Sequence, residues 1–417
     1  MKVALVNSVM LNGGDAGIVY GTLDGIREIL PEAQVTVFAH RAAAVARYYP
    51  ELQIKPMLFD AWPAQRQTRA AMRLTFRLRS RVGLMSPAER RFFRDLAGAD
   101  VIVYCGGGYI NESYNTSIVL DVIERTLDLG IPHMAYGHSI GPLIRRRTRL
   151  RVGRLLNRFA AVTVRDEASR DLVQQLGVQP DLTRLVADAA FCMRSTPRDA
   201  LSGAEQDMVD SVSSFKRAGT GGPLIFMSVR DWGFPNKADS AALKDKLRAE
   251  LLELLRRLLR ETDCQICFFS TCQGRPEYGY DDAAAAAALV GDLAMGQDRI
   301  LVLNGSLSPR AYPGFIRDCA GLVVSMRMHF VVYSILAGVP FVSLAYERKS
   351  VELCQSLGLQ QYCHDVDDLD SAAVMKSILS VVASGDALRR TIGNLLPQVR
   401  SRSLQNAVTL AELSAGR

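Results

Sequence analysis

The residues best placed to do chemistry in this 417-residue chain are Arg327, His329 and Lys349. They lie within residues 321–350, GLVVSMRMHFVVYSILAGVPFVSLAYERKS. Two cations and an imidazole in that space suit an anion that must also receive a proton. The surrounding elements must position them. GLVVS is a short β-branched run and predicts a strand. FVVYSILA predicts a compact apolar helix, closed by Gly338 and followed by Pro340. PFVSLAY predicts a second strand. Arg327 and His329 then fall where the first strand ends and the helix begins, and Lys349 falls just past the second strand. In parallel sheets those carboxyl ends, and the helix N-termini beyond them, are where ligands and anions bind. A strand-end arginine is commonly a surface charge, and a lone histidine commonly a core residue. Three such groups on one strand edge favour a site.

The rest of the chain has the rhythm of a parallel sheet. KVALVNS, QVTVFA, DVIVYC, PHMAYGHS and AVTVRD predict strands. Helices are expected near residues 18–30, 43–49 and 117–129, and over SRDLVQQLGV. Strands spaced by helices mean right-handed crossovers in an α/β fold. The rhythm fails over residues 196–222 and restarts with PLIFMSVRD, a long helix near 241–261, CQICFFS, a helix near 281–293 and RILVLN. Two domains are expected, as the length also implies: residues 1–195 and 223–385, with 196–222 connecting them. Residues 386–417 should be helices that cross back to the first domain.

Other strand ends carry polar groups. NGGDAG follows the first strand, so Asn12 and Asp15 could meet a ligand through hydrogen bonds while the glycines admit its backbone approach. The motif lacks the G-x-G-x-x-G spacing and a P-loop lysine, so it is a weak nucleotide signal. Gly107 sits in a triple-glycine loop, and the adjacent Tyr109 and Asn111 suit sugar stacking and hydrogen bonding. His138 in GHSIGP occupies an equivalent position. Arg230 ends PLIFMSVR and is placed like Arg327. Ser270, Thr271 and Cys272 end another strand, before Asp281 and Asp282.

Composition narrows the classes. The chain is 48% hydrophobic and 22% charged, as ordinary globular proteins are. No run reaches the roughly 18–20 apolar residues of a membrane span. The N-terminus MKVALVNSVM reads as a strand rather than a signal peptide, and a cytoplasmic address is expected. The eight cysteines mostly sit in apolar runs, where thiols pack as small hydrophobes. Cys264 and Cys267 spell C-x-x-C, but strand alternation would put them on opposite faces. No metal-ligand cluster is visible. The net charge of +7 is concentrated in residues 66–94 and in Arg145, Arg146, Arg147, Arg149, Arg151, Arg154 and Arg158. Such basic amphipathic stretches can lie on anionic lipid at the inner membrane face, or can be solvated helix faces. No nucleic-acid motif accompanies them.

Taken in order, NGGDAG, YCGGGYIN, GHSIGP, VRDEASRDLVQQLGV, VADAAF, SVRDW, SMRMHF and LAYERKSVELCQSLGL resemble the polysaccharide pyruvyl transferase family. The resemblance implies two Rossmann-like domains facing across a cleft, as in GT-B glycosyltransferases. It implies transfer of the enolpyruvyl unit of phosphoenolpyruvate onto two hydroxyls of one sugar, as a cyclic ketal, with no other cofactor and no metal. The acceptor would be a sugar or a lipid-linked oligosaccharide. His329 and Arg327 match the family's R-x-H element, Tyr346 and Lys349 its Y-x-x-K element, and Arg230 its second-domain arginine. Arg230, Arg327, Lys349 and Ser325 are then expected on the donor. Asn12, Asp15, Gly107, Tyr109, Asn111 and His138 are expected on the acceptor, in the first domain. His138 stands where the family more usually has glutamine. A nucleotide-sugar glycosyltransferase, with Glu347 on a ribose, is the alternative of the same architecture. A non-catalytic glycan- or lipid-binding relative is the alternative of another class.

Overall fold

The computed structural model describes residues 1–58, 85–113, 116–219, 221–235, 237–293 and 295–415. The chain divides into two units: Met1–Leu11 with Ile18–Met193 and Arg400–Arg417, and Asn12–Gly17 with Arg194–Val399.

The first unit is built on parallel strands β1 Lys2–Ser8, β2 Gln34–Ala39, β3 Ile54–Pro56, β4 Val101–Tyr104, β5 Gly107–Ile110, β6 His133–Ile140, β7 Ala161–Val164 and β8 Thr183–Leu185. Their order is β3-β2-β1-β4-β6-β7-β8, with β5 paired to β6 beyond β4. Val3 of β1 stands opposite both Val35 and Val101, so β1 is central. β4 and β7 are buried at every residue. Strands covered on both faces read as continuous apolar runs, which explains why they are legible. Ala4, Val6, Ile102, Tyr104, Ile140 and Val162 belong to one core cluster with the flanking helices.

The second unit has β9 Leu224–Ser228, β10 Gln265–Phe268, β11 Ile300–Val302, β12 Leu322–Ser325, β13 Phe341–Ala345 and β14 Cys363–Asp365, all parallel. The order is β11-β10-β9-β12-β13-β14. From β9 the chain goes to β10 on one side and returns to β12 on the other. The carboxyl ends of β9 and β12 therefore flank a topological switch point, where open α/β sheets bind ligands.

Several elements differ from the sequence expectation. The first helix runs Gly13–Ile29, so the glycines of NGGDAG form its first turn rather than a loop. Asn12 starts it: its Oδ1 accepts from the Gly14 amide at 2.8 Å and its carbonyl from the Ala16 amide at 2.9 Å. The triple-glycine loop leads at once into β5. Residues 196–222 contain the helix Gly203–Arg217, started by a Ser202–Glu205 capping box. The last helix, Gly385–Ala415, contains Pro397. Its end belongs to the first unit, where Asn406 meets Thr163 and the Ala187 carbonyl. Among the described residues no single helix is long and apolar enough to cross a membrane.

Candidate active site

The second unit brings Arg230, Arg327 and His329 to its switch point. Arg327 is the N-cap residue of helix Met328–Leu336, directly after β12. The strand ends there because Ser325 turns on itself: its Oγ accepts from the Arg327 amide at 2.9 Å and donates to the Arg327 carbonyl at 3.0 Å. Ser325, expected on the donor, is thus fully buried and occupied in shaping the turn.

The Arg327 side chain is 6% exposed. Its Nε and Nη2 donate to the two oxygens of Asp282 at 2.8 and 2.6 Å. This fork uses one edge of the guanidinium; Nη1 has no hydrogen-bond partner among the described residues. Asp282 itself accepts from Ser270, at the end of β10. Burial opposes the Arg327 charge, but Cys272 and Asp282 outweigh it and hold the pKa well above the ordinary arginine value. Burial pushes the Cys272 thiol up to about 11, against the pull of Arg327. That thiol is not an accessible nucleophile.

Arg230 follows β9 and is held by ring faces. Its guanidinium carbon lies 4.8 Å from the Tyr346 ring centroid, 5.0 Å from Trp232 and 5.4 Å from Tyr280. Trp232 and Tyr346 also pack together, with centroids 4.7 Å apart. Aromatic faces attract a cation without using its N–H groups. Arg230 Nε is indeed a buried nitrogen with no hydrogen-bond partner among the described residues. Burial and the charge of Arg327 oppose ionisation of Arg230, while Tyr346 and Glu347 favour it; its pKa ends above the ordinary value. Two guanidiniums that repel each other, each with a nitrogen that has no hydrogen-bond partner among the described residues, would be stabilised by an anion.

His329 is the second residue of the same helix and is 8% exposed. Its ring lies against the backbone of the NGGDAG turn. A β-carbon on Gly14 would sit 2.7 Å from His329 Cβ and 2.8 Å from its Nδ1. Gly17 is equally close to the Tyr333 hydroxyl, which donates to the Gly13 carbonyl at 2.7 Å. Gly13 donates to the Thr271 carbonyl at 2.8 Å. The glycines of this motif are needed for close approach to the histidine helix. Asn12 and Asp15, expected on the acceptor side in the first domain, therefore group with the second unit. Asn12 Nδ2 donates to the Tyr278 hydroxyl at 3.3 Å. Lys349 stands in the first turn of helix Arg348–Ser356 and pairs with Glu347 at 2.7 Å.

The other acceptor-side residues lie in the first unit. Gly107 has φ +142° and the Tyr109 ring folds directly over it. Asn111 Oδ1 accepts from the Ser113 amide at 2.8 Å and so shapes its own loop. His138 is 1% exposed, with Nε2 3.2 Å from the Tyr104 carbonyl. Burial pushes its pKa down to about 4, so the ring is a neutral core residue rather than a surface ligand. Sequence reading picked out the strand end in GHSIGP but not the side-chain network built around it. Arg165 pairs with Asp188, both nearly buried, and its Nε donates to Ser139 at 2.7 Å. Ser139 donates to Asp166 at 2.6 Å, and Asp166 caps the next helix through the Ser169 amide.

Also unforeseen in the second unit were Asp282 as the partner of Arg327, and Trp232 and Tyr280 around Arg230. SVRDW gives a signal for Trp232, two residues from the arginine. Among the described residues no group of three His, Cys, Asp or Glu side chains could hold a metal ion.

The chain resembles known proteins in sequence and in fold. The sequence profile of the polysaccharide pyruvyl transferase family matches residues 12–348. The amylovoran biosynthesis protein AmsJ of Erwinia amylovora is 21% identical, over 98% of both chains. Anabaena HepE, solved in complex with UDP-glucose, superposes over all of both chains with TM-score 0.61 at 15% identity. A glycosyltransferase of Rickettsia africae covers 99% of this chain and 98% of its own, with TM-score 0.57 at 11% identity. A UDP-N-acetylglucosamine 2-epimerase-like protein of Listeria monocytogenes covers 94% and 90%, with TM-score 0.57 at 13% identity. At these identities the structures establish a GT-B-like α/β fold.

Proposed function

The chain belongs to the polysaccharide pyruvyl transferase family, and on that premise we propose that it transfers the enolpyruvyl unit of phosphoenolpyruvate onto two hydroxyls of one sugar. The sugar is part of an exopolysaccharide or cell-surface glycan precursor, in keeping with the similarity to AmsJ, an amylovoran biosynthesis protein. The observation that carries this reading is the pair of incompletely hydrogen-bonded guanidiniums, Arg230 and Arg327, at the same sheet edge as His329.

Phosphoenolpyruvate carries a carboxylate and a phosphate, each able to accept two donors. Arg230 and Arg327 offer them from the ends of β9 and β12, with Asp282 and the aromatic rings holding the forks in place. Lys349 adds positive charge but shares it with Glu347. His329 gives a proton to C3 of the bound donor. C2 becomes electrophilic, and the first sugar oxygen bonds to it. The C2–O bond to phosphate breaks and its electron pair leaves with phosphate. The second sugar oxygen then bonds to C2 and closes the ketal. Of the two hydroxyl protons, one restores His329 and one leaves on phosphate. Asp15 follows Gly14 in the turn against His329.

Glu347, the acid that a ribose would need in a nucleotide-sugar enzyme, is already paired with Lys349. The test is isotope-traced transfer. Phosphoenolpyruvate labelled with ¹³C at C2 should yield a labelled ketal carbon and one phosphate per label transferred. Transfer of glucose from UDP-glucose, with no incorporation of the ¹³C label, would replace this reading with glycosyl transfer.

A further inference from the structure

The second basic cluster is not a uniform solvated face. Arg151 pairs with Asp121 at 2.7 Å and also with Glu124, Arg154 pairs with Glu124 at 3.2 Å, and Arg158 with Asp128 at 3.4 Å. Arg145, Arg146 and Arg147 are exposed and make no ion pair among the described residues. They flank Ile144, 81% exposed, and Leu150, 65% exposed, the two most exposed large apolar side chains described.

This exposure does not belong to a loose loop. The amides of Ile144 and Arg145 both donate to Glu112, as does the Thr148 hydroxyl. Glu112 thereby fixes the turn before the helix Arg146–Leu156. Its charge is engaged at the backbone and the Thr148 hydroxyl and also faces Arg145, with which it makes no ion pair. Arg146, Arg147 and Leu150 share a helix face at the i, i+3 and i+4 spacings. Leucine and isoleucine this exposed lose free energy in water, and three unpaired cations beside them select an anionic neighbour. A nucleic acid would give the apolar pair no partner. Two isolated side chains are too little for a protein interface. An anionic bilayer matches both: apolar side chains enter the headgroup boundary while arginines meet lipid phosphates.

We propose that the turn and helix start formed by Ile144, Arg145, Arg146, Arg147 and Leu150 is a contact surface for an anionic membrane. It stands independently of the donor reading. The other basic stretch, residues 66–94, was also expected on lipid; residues 66–84 lie outside the described residues, and Arg90, Arg91 and Arg94 fall on the helix Pro87–Ala97.

The experiment is co-sedimentation of the full chain with vesicles, either neutral phosphatidylcholine or mixed with phosphatidylglycerol, at low and high salt. The wild type should sediment only with the anionic vesicles and be released by salt. Arg145→Gln/Arg146→Gln/Arg147→Gln should weaken binding roughly 100-fold, at about fivefold per cation near an anionic surface. Ile144→Ser/Leu150→Ser should weaken it roughly tenfold or more. Arg154→Gln, whose charge is already paired, should change it little. Wild-type binding by both multiple variants would place the contact elsewhere and overturn the proposal. Loss in the arginine variant alone would make the patch a soluble-anion site and also overturn it. A wild type that stays in the supernatant at low salt would do the same. Circular dichroism of each variant confirms that the fold is intact.

Discussion

The carboxyl edges of the two sheets carry similar residues and use them in opposite ways. In the first unit Arg165 lies in a network of side chains: Asp188 takes its Nη1, Ser139 its Nε, and Asp166 in turn accepts from Ser139. His138 beside it is buried and neutral. In the second unit Arg230 is held by ring faces and Arg327 by one edge only, and each keeps a nitrogen without a hydrogen-bond partner among the described residues. Closed networks rigidify a fold; open donors at a switch point await a ligand. Strand-end arginine is therefore informative only when its partners are known.

The largest test of that contrast is at His329. His329→Gln should lower turnover by roughly 10² to 10⁴ while donor affinity stays within a few-fold, as loss of a general acid does. Steady-state kinetics with a donor titration would settle it; near-normal turnover would remove the histidine from the chemistry. The opposite behaviour is expected at the closed edge. Asp188→Ala leaves Arg165 buried without its carboxylate, which should cost about 3–5 kcal/mol of stability. Denaturant unfolding reads that loss, and donor affinity at low temperature should not change. If Asp188→Ala instead weakened the donor with stability intact, the first edge would be a ligand site too.

A smaller effect should follow at Gly14. Its alanine β-carbon would fall 2.7 Å from His329 Cβ. Displacing a catalytic group by about 1 Å can cost up to about 10²-fold in rate. Gly14→Ala should thus reduce turnover more than it reduces melting temperature, whereas an unchanged rate would mean that the turn does not position His329.

The pH dependence of stability also separates the units. Burial pushes both His133 and His138 down from 6.5 to about 4. The folded chain keeps them neutral, while the unfolded chain protonates them below about pH 6.5. Their contribution is complete above that pH and is lost as pH falls toward 4, by up to about 1.4 kcal/mol per unit for each ring. Hydrogen exchange across β6 at pH 7 and pH 5 should show this loss, with β12 and β13 changing less. Equal loss in both sheets would assign the acid sensitivity to other groups.

Much of this contrast was legible in local sequence. GLVVS and PFVSLA are continuous apolar runs because β12 and β13 are covered on both faces, so the positions of Arg327 and His329 could be read directly. Strand order was not legible. Nothing local says that β12 returns beside β9, yet that pairing puts Arg230 next to Arg327. The partner of Arg327 is 45 residues away, and the rings around Arg230 come from three separate segments. NGGDAG was recognisable as a glycine turn, but its grouping with the second unit depends on contacts to Thr271, Tyr312, His329 and Tyr333. His138 occupies a strand end like any other, and only the Tyr104 carbonyl and the surrounding core make it a buried residue.

The most direct measurement is calorimetric titration of phosphoenolpyruvate into the wild type, Arg230→Ala and Asp188→Asn, with UDP-glucose as the competing donor. Each lost charge-assisted hydrogen bond is worth about 1.5–3 kcal/mol. The account predicts that the wild type binds phosphoenolpyruvate in preference to UDP-glucose. Arg230→Ala should bind it roughly 10- to 150-fold more weakly, and Asp188→Asn should bind it as the wild type does. Undiminished binding to Arg230→Ala, or a wild type that takes only UDP-glucose, would contradict it.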